Sequence, residues 1–207
     1  MDIKVGTIIA IIRGIHPDDV CAITEVLVEN GITWLEVSLS EEENGIRCIE
    51  EISAHFGNKV HLGAGTVMDR SQVDRVMKAG AEYVITPGWD RDLVRYTQMK
   101  NVEIFPGVFS PGEIMQAIQE GVEVVKLFPV NDLGVSYVKN LRGPYPELKI
   151  MGVGGVDLQN IRDYAKAGCS FFAIGSDLVP RGASTKDLSK IKEKAKQYVE
   201  LMKEIGS

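Results

Sequence analysis

The sequence predicts an α/β protein, a closed (β/α)8 barrel that forms a single domain over residues 1–207. Short β-branched runs alternate with helix-patterned segments, and this unit occurs eight times along the chain. Several helix patterns end in glycine, two or three residues before the next strand, as in Lys78-Ala79-Gly80 and Lys166-Ala167-Gly168. Strands that alternate with helices pair in parallel through right-handed crossovers. A doubly wound open sheet is the alternative, because the number of strands does not prove closure.

The predicted strands share a β-branched, apolar composition. They are Thr7–Arg13, Thr33–Leu39, Lys59–Val67, Tyr83–Thr86, Val102–Val108, Glu123–Phe128, Leu148–Val153 and Ser170–Gly175. The predicted helices follow them at Asp18–Asn30, Asn44–Phe56, Ser71–Ala79, Asp90–Met99, Ser110–Glu120, Ser136–Arg142, Leu158–Ala167 and Lys186–Ile205. Several helix starts carry capping residues, and the Ser110…Glu113 spacing fits a capping box.

Composition and charge exclude several classes of partner. The formal net charge is −6, which argues against nucleic acid or an anionic membrane surface as a partner. The three cysteines have no CxxC spacing and are odd in number, which indicates reduced thiols and a cytoplasmic location. The N-terminus lacks the pattern of a signal peptide, and no apolar run reaches the ~20 residues of a membrane span.

Lys126 lies in the middle of an apolar strand, Val124-Val125-Lys126-Leu127-Phe128-Pro129. Strand alternation places Val124, Lys126 and Phe128 on one face. On an edge strand, the lysine would reach solvent with its ammonium group. A closed barrel has no edge, and a buried lysine has a lowered pKa that favours a neutral, nucleophilic amine. The barrel therefore predicts an interior nucleophile.

Other polar residues approach the carboxyl ends of predicted strands, where barrel enzymes have their sites. Arg13 ends the first strand and is suited to hold a carboxylate or phosphate. On the second strand, alternation directs Trp34, Glu36 and Ser38 inward, and a buried Glu36 needs a cation or a proton to exchange. Thr66 offers a hydroxyl at the end of the third strand.

Glycine-rich turns follow the seventh and eighth strands, at Gly152-Val153-Gly154-Gly155 and at Gly175-Ser176. Exposed backbone amides in these two loops are typical of the phosphate site of such barrels. The three histidines have neither HxH nor HExxH spacing, so no metal site and no metal-assisted mechanism is expected.

Taken together, these stretches resemble the bacterial 2-keto-3-deoxy-6-phosphogluconate / 6-phosphogalactonate aldolase family, which are class I, Schiff-base aldolases. The resemblance runs from about Ile8 to Pro180, and the order and spacing of the motifs carry it. The matching motifs are Ile11-Ile12-Arg13-Gly14, Leu35-Glu36-Val37, Gly63-Ala64-Gly65-Thr66-Val67, Thr86-Pro87-Gly88, Phe105-Pro106-Gly107, Lys126-Leu127-Phe128-Pro129, Val153-Gly154-Gly155-Val156 and Ile174-Gly175-Ser176.

The resemblance implies a role for each matched residue. Lys126 corresponds to the imine-forming lysine and Glu36 to the catalytic glutamate. The implied substrate-binding residues are Arg13 and Thr66 at the pyruvate end, Pro87 and Phe128 in the motifs around them, and Gly154, Gly155, Gly175 and Ser176 at the phosphate. It further implies a phosphorylated keto-acid substrate, products pyruvate and glyceraldehyde 3-phosphate, no cofactor, and a homotrimer.

The sequence departs from the gluconate-type pattern at two positions. Val153 replaces a threonine before the paired glycines, and together with the Gly175-Ser176-Asp177-Leu178 ending it resembles the galactonate branch. Ser40 replaces an arginine four residues after the glutamate, which leaves Arg13 as the cation for the substrate carboxylate. The N-terminal helix of many members is shortened here to Met1–Gly6. The preferred epimer is left open, as is a 4-hydroxy-2-oxoglutarate aldolase activity. A phosphosugar isomerase or epimerase, or a non-catalytic phosphometabolite-binding barrel, would share the phosphate loops.

Overall fold

A computed structural model describes residues 3–206 of the chain. Its strands are β1 Ile8–Ile12, β2 Trp34–Ser38, β3 His61–Gly65, β4 Tyr83–Ile85, β5 Glu103–Phe105, β6 Gly107–Val108, β7 Val124–Leu127, β8 Lys149–Val153 and β9 Cys169–Ile174. They form one parallel sheet in the order β5-β4-β3-β2-β1-β9-β8-β7-β6. The sequence order of the strands around the sheet is that of a (β/α)8 barrel.

The barrel closes through Pro106, which joins the two ends of the sheet order. The fifth predicted strand, Val102–Val108, is divided here into β5 and β6 because proline has no N–H to donate to the ladder. β5 pairs with β4, whereas β6 pairs with β7. The Pro106 carbonyl still accepts a hydrogen bond from the Lys126 amide, at 2.9 Å. The barrel is therefore confirmed and the open sheet is excluded.

Two apolar layers follow the alternation of the strands. The inner layer fills the barrel and includes Trp34, Tyr83, Phe105 and Val124, with Phe128 packed against it. The outer layer, between the barrel and the helices, takes the opposite faces of the same strands, for example Leu35 and Val37, or Val125 and Leu127. These are the faces that the sequence pattern predicts, and Glu36 and Lys126 share the inner one.

The helices surround the barrel at α1 Pro17–Glu29, α2 Glu42–Phe56, α3 Arg70–Ala79, α4 Arg91–Met99, α5 Pro111–Gln119, α6 Val130–Leu133, α7 Val135–Leu141, α8 Ile161–Ala167 and α9 Leu188–Gly206. The predicted capping box is present, since Ser110 and Glu113 bond each other's backbone at the start of α5. The glycines that follow α3 and α8, Gly80 and Gly168, have left-handed φ angles of 108° and 116°. Helix ends are therefore set by the expected chemistry.

The helices differ most from the sequence pattern at α8 and α6. α8 begins at Ile161 rather than Leu158, because the Asp157 carboxylate accepts from the backbone amides of Gln159 and Asn160 and forms a turn there. The short helix α6 was not predicted; it is separated from α7 by Gly134, whose φ of 80° interrupts the helical backbone.

Residues 3–7 cross the amino-terminal end of the barrel without forming a helix. Ile3 packs into the inner apolar layer, and the Gly6 amide donates to the Ser170 carbonyl at 2.8 Å. The larger clefts, of about 690 Å³ and 470 Å³, lie at this end, whereas the candidate site lies at the other. Within residues 3–206, no helix is both long and apolar enough to cross a membrane.

Candidate active site

Lys126 and Glu36 are buried inside the barrel, one on β7 and the other on β2. Lys126 is 6% exposed and Glu36 is 1% exposed. The Glu36 Oε2 atom is buried and has no hydrogen-bond partner among the described residues. A buried polar atom without a partner is costly, and such sites are often completed by a ligand or a water. The interior therefore holds one amine and one carboxylate, and the described residues leave the Oε2 atom of that carboxylate without a partner.

Burial shifts both groups toward their neutral forms. Desolvation lowers the pKa of Lys126, and it prevails over the Glu36 carboxylate, which acts to raise that pKa; Arg13 lowers it further. Desolvation also raises the pKa of Glu36, against the opposing effects of Lys126 and Arg13. The structure therefore answers the question left by the sequence, namely which influence on the lysine prevails. A lowered pKa makes the neutral, nucleophilic amine more accessible.

Two glycines on β3 make room for large neighbours inside the barrel. A Cβ at Gly65 would overlap the Glu36 carboxylate, and a Cβ at Gly63 would overlap the Tyr83 ring. Tyr83 is fully buried, and its hydroxyl donates to the Leu35 carbonyl at 2.7 Å. The Glu36 carboxylate on β2 can therefore take this position only because Gly65 on β3 has no side chain.

Six of the ten sequence-predicted site residues line one cavity of about 340 Å³ at the carboxyl ends of β1, β7, β8 and β9. They are Arg13, Phe128, Gly154, Gly155, Gly175 and Ser176. Arg13 is exposed, and its guanidinium forms no hydrogen bond or ion pair within the described part of the chain. An unpaired guanidinium at the edge of a cavity is suited to bind an anionic ligand.

The loop after β8 contributes consecutive glycines in the left-handed region, with φ of 92° at Gly154 and 75° at Gly155. Successive backbone amides in such a conformation form an anion-binding concavity. Close packing fixes the loop: a Cβ at Gly155 would lie 2.5 Å from the Asn131 Cβ. The Gly154 carbonyl accepts from the Asn131 amide at 3.1 Å.

Phe128 connects this loop to the lysine. The Lys126 Nζ atom lies 4.9 Å from the centre of the Phe128 ring. A Cβ at Gly154 would lie 3.1 Å from the same ring. The ring therefore stands between the amine and the glycine loop, with a cation–π contact available to the ammonium form of Lys126.

Thr66 and Pro87 also follow strands at this end, but neither lines the 340 Å³ cavity. Thr66 hydrogen-bonds Ser38, with 3.0 Å between the two hydroxyl oxygens. The backbone of Pro87 packs against Gly107, where a Cβ would lie 2.5 Å from the Pro87 carbonyl carbon. Both residues follow strands at the mouth of the barrel, without direct contact with the cavity.

The cysteines and the group of potential metal ligands among the described residues lie outside the candidate site. Cys48 and Cys169 are buried, and desolvation raises their pKa values to about 11 and about 12. Within the described residues, one group of potential metal ligands is close together, Cys21, Glu51 and His55. These residues belong to the outer helices α1 and α2 rather than to the strand ends.

Comparison with known proteins agrees with this geometry. Residues 1–194 match the model of the family described as KDPG and KHG aldolase. The chain belongs to this aldolase family. Aldolases are lyases that cleave carbon–carbon bonds, and the resemblance read from the motifs is confirmed.

Individual relatives of this aldolase cover nearly its whole length. It is 34% identical over 182 residues to a probable 2-dehydro-3-deoxy-6-phosphogalactonate aldolase of Rhizobium meliloti, covering 87% of this chain and 85% of the relative. A solved structure described as native KDPGal superimposes with a TM-score of 0.88 at 29% identity, covering 96% of this chain and 95% of that one. The KDPG aldolase of Legionella pneumophila, with pyruvate captured at low pH as a covalent carbinolamine intermediate, gives a TM-score of 0.81 at 28% identity, covering 97% and 94%.

The aldolase also contains site residues that the sequence did not predict. Asp177 lines the cavity, and its carboxylate accepts from the Lys194 ammonium at 2.9 Å and from the Tyr198 hydroxyl at 2.6 Å. Although burial raises it, these hydrogen bonds hold the pKa of Asp177 below its ordinary value. Lys194 and Tyr198 are four residues apart on α9, so the spacing places them on one helix face but does not identify their partner. The pairing of Gly63 with Tyr83, whose ring occupies the space beside that glycine, was also not predicted from the sequence. The alternating glycines of β3 were the available signal.

Proposed function

We propose that this aldolase is a class I enzyme in which Lys126 forms a Schiff base with a 2-keto-3-deoxy-6-phospho sugar acid and cleaves it to pyruvate and D-glyceraldehyde 3-phosphate. The observation that carries the proposal is the burial of Lys126 beside Glu36, with the lysine pKa lowered by desolvation. A pure binding protein gains little from two costly interior charges, so the pair favours catalysis.

The chemistry begins at the substrate ketone. Neutral Lys126 attacks C2 to give a carbinolamine, and loss of water gives an iminium ion. The bond between C3 and C4 then breaks, its electrons move to the iminium nitrogen to form an enamine, and the C4 hydroxyl loses its proton as the aldehyde forms. The enamine is protonated at C3, and water hydrolyses the resulting iminium to pyruvate and free lysine.

Glu36 is the proposed proton carrier for these steps. Its carboxyl group would accept the C4 hydroxyl proton, return a proton to C3, and assist dehydration of the carbinolamine, directly or through a water. The raised pKa of Glu36 supports both roles, because a carboxyl group with a raised pKa accepts a proton more readily and can then return it. Its unpartnered Oε2 atom leaves an acceptor position for a substrate hydroxyl.

The 340 Å³ cavity is the proposed phosphate end of the substrate site. Arg13, the Gly154-Gly155 turn and the Gly175-Ser176 turn would bind the anion there. The two acidic residues of the lining have partners within the protein: Asp177 bonds Lys194 and Tyr198, and Asp157 accepts two backbone amides. The carbinolamine that pyruvate forms in the Legionella pneumophila relative supports the same chemistry at the other end.

The proposal is tested by incubating the protein with pyruvate and sodium borohydride, followed by mass spectrometry of the peptides. We expect one reduced pyruvyl adduct on Lys126, and its loss in Lys126→Ala. Lys149→Ala is the matched control, because Lys149 lies at the opposite end of β8, is exposed, and pairs with Glu123 at 3.2 Å. An adduct on another lysine, or none, contradicts the assignment.

The choice of substrate is tested by a pyruvate-release assay with gluconate-derived, galactonate-derived and 4-hydroxy-2-oxoglutarate substrates side by side. The family description includes KHG aldolase, which supports the third as a second candidate. Val153 and the Gly175-Ser176-Asp177-Leu178 ending favour the galactonate-derived epimer among the phosphorylated substrates. Proton exchange without pyruvate release would indicate the isomerase or epimerase alternative.

A cytoplasmic homotrimer is the proposed working form. Phe109 in the loop before α5 and Met115 and Ile118 on α5 are large apolar side chains that stay exposed in the single chain. Exposed apolar residues close together along the chain support their burial in an assembly. Light scattering should give three times the mass of 22.7 kDa; a monomeric mass contradicts this part of the proposal.

A further inference from the structure

Thr66 has an unusual backbone conformation at the mouth of the barrel. Its φ is 61°, in the left-handed region, and Asn101 is the other described residue besides glycine with a positive φ. A β-branched residue is rare in this region because its side chain crowds the backbone. Strain of this kind persists where surrounding contacts hold the residue, and it concentrates at functional sites.

The contact that holds the Thr66 side chain comes from Ser38. The two hydroxyl oxygens are 3.0 Å apart, and the Ser40 amide donates to the Ser38 oxygen at 3.3 Å. The buried Ser38 hydroxyl makes no other hydrogen bond within residues 3–206. Ser38 is the last residue of β2, two positions beyond Glu36 on the same inner face.

Burial determines the direction of the hydrogen bond between the two hydroxyls. Ser38 is 3% exposed, so a Ser38 proton that did not point to Thr66 would have no acceptor. Thr66 is partly exposed at the mouth, where its own proton can reach a ligand or solvent. The arrangement that satisfies both groups is donation from Ser38 to the Thr66 oxygen, which leaves the Thr66 hydroxyl free as a donor.

We infer that Ser38 is a positioning residue that presents the Thr66 hydroxyl as a hydrogen-bond donor to the carboxylate of the 2-keto acid bound at Lys126. This inference rests on the proposed function. Thr66 directly follows Gly65, whose missing side chain leaves the space that the Glu36 carboxylate occupies, so the donor and the carboxylate belong to the same level of the barrel. The Thr66 hydroxyl would be an uncharged donor to the anionic substrate, in addition to the charged Arg13 guanidinium.

The test measures iminium trapping at Lys126 by sodium cyanoborohydride as a function of pyruvate concentration. In Ser38→Ala, we expect the half-saturating pyruvate concentration to rise roughly fivefold to tenfold, the effect of losing one oriented hydrogen bond. The maximal trapping rate should change by less than about twofold, since Ser38 touches no reacting atom. Acetone has the ketone but no carboxylate, so its trapping should be the same in both proteins.

Three further variants separate positioning from a structural role. Ser38→Thr keeps the donor and should restore the wild-type pyruvate dependence, whereas Ser38→Cys keeps the size with a weak donor and should resemble Ser38→Ala. Thr97→Val is the control, because Thr97 is a buried hydroxyl on α4 that donates to the Leu93 carbonyl at 2.8 Å. It should leave pyruvate dependence unchanged. In a Thr66→Val background, Ser38→Ala should add no further change.

The outcomes distinguish this inference from the proposed function. If the wild-type protein forms no pyruvyl adduct on Lys126, the proposed function fails. If the adduct forms but Ser38→Ala and Ser38→Cys retain the wild-type half-saturating concentration, Ser38 has no positioning role. The same conclusion follows if acetone trapping is weakened as much as pyruvate trapping, because the effect would then not depend on the carboxylate.

Discussion

Gly65 and Glu36 share one space inside the barrel: the Glu36 carboxylate lies where the side chain of residue 65 would be. The Ser38–Gly65 register pair joins β2 and β3 at this level, so the missing Cβ faces the proposed proton carrier. The glycines of β3 therefore make room for the side chains of neighbouring strands. The sequence alone indicated only that these glycines open space at the barrel mouth.

Replacing Gly65 by alanine should displace the Glu36 carboxylate and lower the rate of pyruvate release by about 100-fold or more, the usual effect of losing a positioned proton-transfer group. Gly112→Ala is the matched control, because a Cβ at Gly112 in α5 would meet only the Ser110 Oγ atom at 3.9 Å, an ordinary van der Waals contact. Circular dichroism establishes whether both variants fold. A folded Gly65→Ala protein with wild-type activity would contradict the placement of Glu36.

Glu36→Gln should lower pyruvate release by about 10²–10⁴-fold while the fold persists. The Glu36 carboxylate acts to raise the pKa of Lys126, so its removal should lower that pKa further. The pH midpoint of iminium trapping by cyanoborohydride should therefore move to lower pH. Glu147→Gln, at an exposed position in the loop before β8, should change neither quantity. A midpoint that stays or rises would show that the two groups are not coupled.

Gly155→Ala and Gly121→Ala form a matched pair for the proposed phosphate loop. Both glycines have a φ of 75°, but only Gly155 is crowded, with Asn131 at 2.5 Å from its Cβ position; Gly121 has nothing within 4 Å. Both variants should lose stability from the backbone strain, and Gly155→Ala should lose more because its Cβ would also crowd Asn131. We expect Gly155→Ala alone to raise KM for the phosphorylated substrate, with pyruvate trapping at Lys126 unchanged. Equal KM values in the two variants would argue against a phosphate loop at Gly155.

Lys126→Met should change how stability depends on pH. Burial lowers the native pKa of Lys126 below 10.5, so between these values the unfolded chain binds a proton that the native protein has lost. Wild-type stability therefore rises with pH through this window by up to ~1.4 kcal/mol per pH unit, and Lys126→Met lacks this contribution. The measurement is the free energy of unfolding in urea at several pH values. As pH rises through this window, the wild type should gain stability relative to Lys126→Met. A parallel pair of curves for Lys126→Met and the wild type would contradict the burial of a titrating lysine.

The order of elements and the inward faces of the strands were predictable from the sequence. Alternation in Trp34–Ser38 and Val124–Leu127 directed Glu36 and Lys126 to the interior, and the structure confirms this because side chains in a strand point to opposite faces at every residue. The repeating units likewise predicted the barrel. The aldolase family followed from the spacing of the motifs, and the match over residues 1–194 confirms it.

Tertiary structure decided how these residues influence one another. The net direction of the Lys126 pKa depends on the balance between burial, Glu36 on β2 and Arg13 at the end of β1, so it involves groups from three parts of the barrel wall, Lys126 included. Pro106 divides the fifth strand because it has no N–H, but the closed barrel decides which neighbour each half pairs with. The sharing of space by Gly65 and Glu36, and the support of Asp177 by α9, involve residues distant in the chain. Local patterns determine which way a side chain points, whereas its partners and its charge depend on distances that exist only after the barrel has closed.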